Sequence, residues 1–458
     1  MSRVLTISWL TWKAALRFRL FWVLAGLLVL AVVGLPLVLK DDGTARGFTQ
    51  ILLTYTLGSV TALMGLATLW LSCGTLARDI EENQMQLVAV KPIARWQVWL
   101  GKWIGIVSLD AALLALAGVC IVGLLQWRAG RLPPEQQKIL RNEVLVARGT
   151  LKEKPEDIEG ITERIFQQRM KETPVGASSQ ALVRNQIREG VKAKFQVVDP
   201  NHARFWEIDL GARRFTLKDQ PLFVRLKFNA ASTNALGTYV TEILVGPVDS
   251  PKQGISRRSL AADTIHEIQI PANMWDDKGV LRVELRNYDR VALLFPLEDG
   301  FEVLYREGGF GLNFSRGLFI ILCWLALLAT VGLAAASFLS FPVAVFCAFT
   351  LLLVGFSTGT LASAVEAGSV GGVNEETGEV HHTLLDLVLI PAFKGLLGIF
   401  KMVQQFSPVD ALSTGRSIPW TDVATAFGQI VLLLGGVIAL FGMYVFTHRE
   451  LARSHTNA

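Results

Sequence analysis

Long stretches without charged side chains constrain this 458-residue chain more than any other feature. An α-helix crosses the ~30 Å hydrocarbon core of a bilayer with about 20 residues. Five stretches reach that length, and the one running from Gly317 to Val365, with 49 residues, is enough for two crossings. We therefore predict an α-helical polytopic membrane protein with six transmembrane helices, drawn from Leu20–Leu39, Gly47–Ala77, Trp103–Trp127, Gly317–Val365 and Val423–Thr447.

The stretch Gly317–Val365 is expected to divide at the sequence SFLSFPVAV. Proline suits the first turn of a helix because its missing N–H is one that a helix start leaves unsatisfied anyway. Pro342 therefore predicts that the fourth span ends near Phe338 and that the fifth begins near Phe341.

The charged residues concentrate in one segment, residues 128–316. It holds 54 of the 83 charged side chains of the chain (29 Lys+Arg and 25 Asp+Glu, against 44 and 39 overall). Within it, residues 132–195 place apolar side chains three and four apart, which indicates helices, and residues 196–310 alternate with a period of two, which indicates strands. We predict a large inserted α+β domain, a helical stalk followed by a β-sandwich or jelly roll.

Basic residues near the ends of the spans predict the orientation, since cytoplasmic loops carry an excess of Lys and Arg. Such residues flank the N-terminal span, follow the second span and end the chain. Both termini are therefore expected to be cytoplasmic and residues 128–316 extracytoplasmic, in a cytoplasmic (inner) membrane. This divides the chain into 1–127 (an interfacial helix over 4–18, then spans 1–3), 128–316, 317–365 (spans 4 and 5), 366–422 (an outer-face loop with half-inserted or interfacial helices) and 423–458 (span 6 and a cytoplasmic tail). The alternative for residues 4–18 is a plain extension of the first span.

Residues 78–98, between the second and third spans, form a short charged segment. Ile80–Val90 is too polar to span a membrane, and Lys91-Pro92 stops a helix because the residue before proline avoids the α region. A helix is expected to restart with Trp96, Trp99 and Trp103 at the membrane interface and with Arg95 and Lys102 facing the cytosol. Such a helix, continuous with two spans, would act as a lever on both.

This segment resembles the membrane subunits of ABC transporters of the ABC-2 type, and is similar to the subfamily containing the permease of nitrous-oxide-reductase maturation. The resemblance covers the six spans, and its motif stands here as Arg78, Asp79, Ile80, Glu81, Gln86, Leu87, Lys91, Pro92, Arg95, Trp96, Gly101 and Lys102. In that family the loop between the third and fourth spans is short, whereas this chain carries about 189 residues there.

The resemblance implies that residues 78–98 form a coupling helix that docks into a groove of a separate nucleotide-binding subunit. Two permeases, identical or different, and two ATPase subunits would make the transporter, with ATP and Mg bound by the ATPase. The implied contact residues are Asp79, Glu81, Glu82, Lys91, Pro92, Arg95 and Trp96. For the acidic pair Glu81 and Glu82, the alternative is ordinary solvation of a cytoplasmic loop.

Other candidate sites were weighed against structural roles. Asp110 is the one charge within its span, and an intramembrane carboxylate points either to a translocation path or subunit pairing, or to a structural hydrogen bond or a hydrated position. Gly101-Lys102 lacks the remaining glycine and the Ser/Thr of a phosphate-binding loop, so the chain is expected to be no enzyme and to bind no cofactor or metal. GFSTG, residues 355–359, matches a hydrolase motif but lies in a span, where small residues instead favour helix packing. We expect no nucleic-acid partner.

A second hypothesis is a non-transporting membrane anchor that displays a sugar- or protein-binding β-sandwich. Its sequence support is a set of aromatic side chains that could stack on a glycan or could equally form a core: Phe205, Trp206, Phe215, Trp275, Tyr288 and Phe295. An anchor would tolerate Ala at Glu81 and Arg95, whereas a permease also requires a partner ATPase.

Overall fold

The structure, a computed structural model, describes residues 3–17, 19–38, 44–82, 93–173, 177–232, 237–247, 253–370 and 385–449. The chain forms two compact units. The helical unit comprises residues 1–147 and 309–458, and the β unit comprises residues 148–308.

The first part of the helical unit contains two very long helices preceded by two shorter ones. Thr44 caps the longer helix of this part, its side chain accepting a hydrogen bond from the backbone N–H of Gly47 at 3.1 Å. The helices are α1 (Arg3–Arg17), α2 (Arg19–Val38), α3 (Ala45–Glu81), α4 (Arg95–Ala129) and α5 (Pro134–Ile139), the last continued by a π-helical turn, Leu140–Val144. The segment that was expected to be a separate helix over Ile80–Val90 begins inside α3, and residues 83–92 lie outside the described residues.

The β unit is built from two four-stranded sheets and one small three-stranded sheet. The four-stranded sheets have the orders β1-β11-β4-β8 and β3-β9-β6-β7, and the third has the order β2-β10-β5. The strands are β1 (Val146–Leu151), β2 (Val197–Val198), β3 (Ala203–Asp209), β4 (Leu222–Leu226), β5 (Asn229–Ala230), β6 (Thr238–Val245), β7 (Gly254–Ala261), β8 (His266–Ile270), β9 (Val280–Asn287), β10 (Leu293–Leu294) and β11 (Phe301–Gly309). Three helices accompany them: α6 (Ile158–Glu172), α7 (Ala177–Gln196) and α8 (Arg214–Leu217), preceded by a 3-10 turn, Gly211–Arg213.

One apolar core serves both four-stranded sheets, because alternate side chains of each point into it. Leu226 and Val303 from one sheet share this core with Trp206 and Leu285 from the other. The expectation of a β domain after residue 196 is thus met. The interval 132–195 was predicted to be helical throughout, which is wrong for β1, a strand paired with β11.

A buried charge network lies on the sheet that contains β4, β8 and β11. Arg225 binds Glu267 (2.8 Å) and Glu302 (2.9 Å), and Arg148 binds the same Glu267 at 2.7 Å. All four side chains are almost inaccessible to solvent. Burial of charges is tolerated only when each finds partners, and here two guanidinium groups and two carboxylates alternate.

The second part of the helical unit follows the β unit. Its helices are α9 (Phe310–Ala336), α10 (Phe341–Phe356), α11 (Thr358–Ala367), α12 (Asp386–Gln404), α13 (Pro408–Ser413) and the final helix α14 (Trp420–His448), which includes a π-helical stretch, Phe427–Gly435. The predicted break within SFLSFPVAV is present between α9 and α10, with Pro342 in the first turn of α10.

Four helices are long and apolar enough to cross a membrane: α3, α4, α9 and α14. The pair Phe341–Phe356 and Thr358–Val365 makes a fifth if it is one span, but it is bent by 66°. Helix α2 (Arg19–Val38) lies at the predicted first span, and its stretch Ala25–Pro36 is apolar. Among the described residues, four helices, or five with the bent pair, meet the length and composition of a span, and the predicted count of six is not confirmed.

Small residues bring these helices together. A Cβ placed on Gly332 of α9 would overlap Ser72 of α3, and one on Gly355 would lie 2.8 Å from a ring carbon of Phe400. Close backbone approach of this kind is what holds helices together in lipid, where there is no hydrophobic force between them. Gly355 belongs to GFSTG, so the packing interpretation of that motif fits its first glycine, at the bend between α10 and α11.

Candidate functional site

The charged residues at the ends of α3 and α4 bind one another. The ammonium group of Lys102 donates to Asp79 Oδ2 at 2.6 Å and to the carbonyl oxygen of Thr75 at 2.7 Å. Lys102 is only 8% exposed. The expectation that Lys102 faces the cytosol is therefore wrong: the side chain lies between α3 and α4, where a carboxylate and a backbone carbonyl offset the cost of burying its charge.

Glu81 at the end of α3 caps the start of α10. Its Oε1 accepts a hydrogen bond from the backbone N–H of Phe341 at 2.8 Å. The first N–H groups of a helix have no partner inside the helix, and a negative charge there is also favoured by the helix dipole. Arg78 contacts the side chain of the same residue: its guanidinium carbon lies 4.4 Å from the centre of the Phe341 ring. The end of α3 is thus fixed to the start of α10 by two side chains.

Arg95, the first residue of α4, caps the end of α14. One of its guanidinium nitrogens donates to the carbonyl oxygens of Thr447 (2.8 Å), Arg449 (2.7 Å) and Phe446 (3.3 Å). These are the carbonyls that a helix end leaves without partners, and a cation there is favoured by the dipole. Arg449 repeats the arrangement one helix further on, donating to Ser337 O at the end of α9 at 3.0 Å.

We call these four connections the tie cluster: Lys102–Asp79, Glu81–Phe341, Arg95–α14 and Arg449–Ser337. They join the ends of five helices, α3, α4, α9, α10 and α14, on the side of the helical unit that carries residues 78–98. The Lys102 and Arg449 connections are buried or half-buried, whereas the Glu81–Phe341 hydrogen bond is exposed to solvent and so contributes less. The ends of α3 and α4 are therefore connected to the ends of the other three helices.

The residues predicted to contact a partner separate into three groups. Asp79, Glu81 and Arg95 are engaged within the chain, as part of the tie cluster. Glu82 and Trp96 are exposed, Trp96 to 48%, and so is Glu81 of the tie cluster. Lys91 and Pro92 lie outside the described residues.

The three tryptophans expected at the membrane interface have different surroundings. Trp96 is exposed, whereas Trp99 is 1% exposed and Trp103 is half-buried with its indole N–H donating to Thr330 Oγ1 at 2.8 Å. The interfacial prediction is wrong for Trp99 and Trp103, which pack against α14 and α9. Trp99 and Trp103 are four residues apart and so lie on the same face of α4, which turns inward.

Helix α1 packs closely against α4 at Gly101 and Gly105. A Cβ on Gly101 would lie 2.7 Å from Ile7, and one on Gly105 would lie 2.7 Å from Thr11. Trp12 completes the contact by donating to Ser108 Oγ at 2.8 Å. The two residues of the Gly101-Lys102 pair therefore contact different helices. Gly101 allows α1 to pack closely on α4, and Lys102 binds α3.

Asp110 lies within α4 at 4% exposure. Its Oδ2 accepts a hydrogen bond from Thr68 Oγ1 of α3 at 3.0 Å. The structural alternative, a hydrogen bond to a neighbouring helix, is therefore present. Asp110 also lines a cavity between these helices.

The aromatic side chains of the β unit divide into core and surface. Trp206, Trp275 and Phe295 are buried in the shared core. The exposed rings each lie under an arginine, at guanidinium-to-ring distances of 4.4 Å (Arg282–Phe205), 4.8 Å (Arg214–Phe215) and 5.2 Å (Arg257–Tyr288). A cation over one ring face occupies a surface on which a sugar would stack, which argues against the glycan-binding hypothesis for these three rings.

Sequence reasoning missed Arg449, Ser337 and Thr330 as parts of this region. The signal for Arg449 was its place one residue after an apolar span, where a basic side chain can reach helix-end carbonyls.

Among the described residues, no group of three or more His, Cys, Asp or Glu is arranged to hold a metal ion. Comparisons with protein-family models, with curated proteins and with solved structures each found no match.

Proposed function

We propose that this chain is the membrane-spanning permease subunit of an ATP-binding-cassette transporter of the ABC-2 type. In this proposal residues 78–98 couple ATP hydrolysis in a separate subunit to export or mechanotransmission across the cytoplasmic membrane. The observation that carries the proposal is the tie cluster. It joins the base of the segment that resembles a coupling helix to three further helices of the bundle.

The proposed coupling works through helix ends. A partner that pushes on residues 83–92 acts directly on the last turn of α3 and the first turn of α4. Glu81 passes the displacement to α10, Arg95 passes it to α14, and Arg449 passes it on to α9. Because each connection fixes a backbone group at a helix end, the displacement moves whole helices rather than single side chains.

The candidate contact residues outside the tie cluster take the docking role. We assign Glu82 and Trp96, with Lys91 and Pro92, to contact with the ATPase subunit, which binds the ATP and Mg. Asp79, Glu81 and Arg95 are assigned to transmission. The working transporter contains a second permease subunit, both termini are cytoplasmic, and residues 128–316 form the extracytoplasmic domain.

Co-purification tests the proposal. The tagged full-length chain is purified in mild detergent together with the P-loop ATPase encoded beside it, and the captured ATPase is quantified. The wild-type chain captures the ATPase, and the double variant Glu82→Arg/Trp96→Ala loses it while still reaching the membrane. Trp9→Ala, which removes an equally exposed tryptophan from α1, leaves capture unchanged.

A second variant separates docking from transmission. Arg95→Gln retains capture of the ATPase, because the side chain faces α14, but abolishes stimulation of ATP hydrolysis by the permease. The permease proposal is wrong if the wild-type chain captures no ATPase. The division of roles is wrong if Arg95→Gln loses capture and Glu82→Arg/Trp96→Ala keeps it.

A further inference from the structure

A cavity of about 180 Å³ runs along one face of α3. The α3 residues that line it recur every three or four positions and include Met64, Ala67, Trp70, Gly74 and Arg78. Helices α1, α2 and α4 supply the remaining walls. A cavity of about 150 Å³ with apolar walls is enough to hold a benzene ring, so this one has room for part of a hydrocarbon chain.

The length of the cavity matches one leaflet of a bilayer. Met64 and Arg78 are 14 positions apart (78 − 64) on one helix, which corresponds to ~21 Å at about 1.5 Å per residue. Half of a bilayer, from headgroup region to midplane, measures roughly 20–22 Å. A lipid lying parallel to α3 can therefore extend along the whole cavity.

Charge gives the cavity a direction. Arg78 stands at one end, and a guanidinium group presents a planar set of donors that matches the oxygens of a phosphate. Asp110, bonded to Thr68, stands deeper along the same wall, where a carboxyl group disfavours any second anion. An anionic head fits only at the Arg78 end, with an apolar chain between the two.

The helices around the cavity expose apolar side chains, as they would in contact with lipid. On α1 and α2 these include Trp9, Leu10, Trp22 and Leu30, each more than half exposed. In a membrane, lipid chains would therefore contact the helices that line the cavity. We propose that the cavity binds one acyl chain of an anionic phospholipid, with its phosphate on Arg78. The site shares Arg78, whose guanidinium also lies over the Phe341 ring, with the segment 78–98, but it does not require a partner ATPase.

Photolabelling in nanodiscs tests the site. The full-length chain is placed in phosphatidylcholine nanodiscs that contain phosphatidylglycerol with a diazirine in the middle of one chain, and labelled residues are mapped by mass spectrometry. Labelling of Ala67–Gly74 is expected to exceed that by phosphatidylcholine with the same diazirine chain about fivefold. This factor corresponds to about 1 kcal/mol for one basic residue near an anionic headgroup.

Two variants and their controls decide the outcome. Ala67→Trp fills the cavity and abolishes the excess labelling, whereas Leu66→Trp, at a neighbouring exposed position of α3, leaves it unchanged. Arg78→Gln lowers phosphatidylglycerol labelling to the phosphatidylcholine level, and Arg17→Gln, an exposed charge on α1, does not. Inorganic phosphate in excess does not compete.

The proposal is overturned if the two lipids label this face equally. It is also overturned if Arg78→Gln leaves the excess intact, which is decisive even if Ala67→Trp fails to fold. Competition by inorganic phosphate would show an anion site rather than a lipid site, and overturns it as well.

Discussion

Helix α1 and strand β3 bury opposite kinds of side chain. Helix α1 buries Ser8, Thr11 and Ala15 against its neighbours and exposes apolar residues such as Trp9. Strand β3 does the reverse, with Trp206 and Ile208 buried and Glu207 and Asp209 exposed. The comparison teaches that one chain is built for two solvents, since a helix that buries its polar side chains and exposes a large apolar face fits apolar surroundings, whereas single exposed apolar residues are ordinary on a surface in water.

The two units also hold buried charge differently. In the helical unit Lys102 is satisfied by Asp79 and a backbone carbonyl, and the tie cluster consists of side chains on helix ends. In the β unit charge is buried as a four-residue network within a sheet. Helix ends offer unpaired backbone groups to charges, whereas a sheet has used its backbone groups in the ladder, so buried charges there must pair with each other.

The largest effect is expected from breaking the network of the β unit. Arg225→Met leaves Glu267 and Glu302 buried with fewer cationic partners, and should lower the free energy of opening of this sheet by about 3–5 kcal/mol. Arg286→Met is the matched control: it also removes an arginine between two glutamates, but one that is exposed to solvent, and should have a much smaller effect. Hydrogen exchange in the full-length protein measures both, at the β4 and β11 amides for Arg225→Met and at the β6 and β9 amides for Arg286→Met. Equal effects of the two variants would contradict the importance of burial.

A smaller effect is expected from a change of shape in the helical unit. Gly332→Val places two methyl groups where α9 meets Ser72 of α3, and should destabilise the helix pair by about 1–3 kcal/mol through overpacking. Gly58→Val adds the same side chain to α3 at a position whose Cβ would meet nothing within 4 Å. Thermal unfolding in detergent should separate the two variants. If both melt alike, close packing does not hold these helices together.

The smallest effect concerns a half-buried carboxyl group of the β unit. Burial raises the pKa of Glu153 above its usual value, with a hydrogen bond from the Glu207 N–H and the charge of Arg204 acting in the opposite direction. Since the folded state then holds the proton more tightly than the unfolded chain, this group favours folding below pH ~4.5 and loses that contribution as the pH rises through its raised pKa. Glu153→Gln should remove this pH dependence and change stability at neutral pH by at most about 0.5 kcal/mol. Denaturation of the two proteins between acid and neutral pH checks the sign, and a wild-type protein that loses stability relative to the variant as the pH falls would contradict it.

The sequence predicted those parts of the structure that depend on local pattern. Uncharged runs indicated α3, α4, α9 and α14, and alternation indicated the strands after residue 196. The strand β1 escaped notice because Arg148 interrupts its apolar pattern, and its partner Glu267 is 119 positions away. A buried arginine looks like a surface arginine until the partner is known.

The candidate site was predicted by residue type but not by contact. Arg95 was expected to face the cytosol because basic residues beside a span usually face water, and the family resemblance implied that it contacts a partner protein. Its actual acceptors are backbone carbonyls more than 350 positions away, which no spacing rule connects to it. Lys102 was misplaced for a related reason, since only the packing of α3 on α4 shows that its side chain points inward.

The hydrogen bond between Trp103 and Thr330 has a consequence for the order of synthesis. The two residues are 227 positions apart, and the entire β unit is encoded between them. At about 5–20 residues per second, a ribosome needs roughly 10–45 s to cover that interval. During this time α4 exists without α9, which carries the hydroxyl that accepts the indole N–H of Trp103. Until α9 emerges, that N–H needs another hydrogen-bond acceptor, such as a lipid headgroup, water or the insertion machinery.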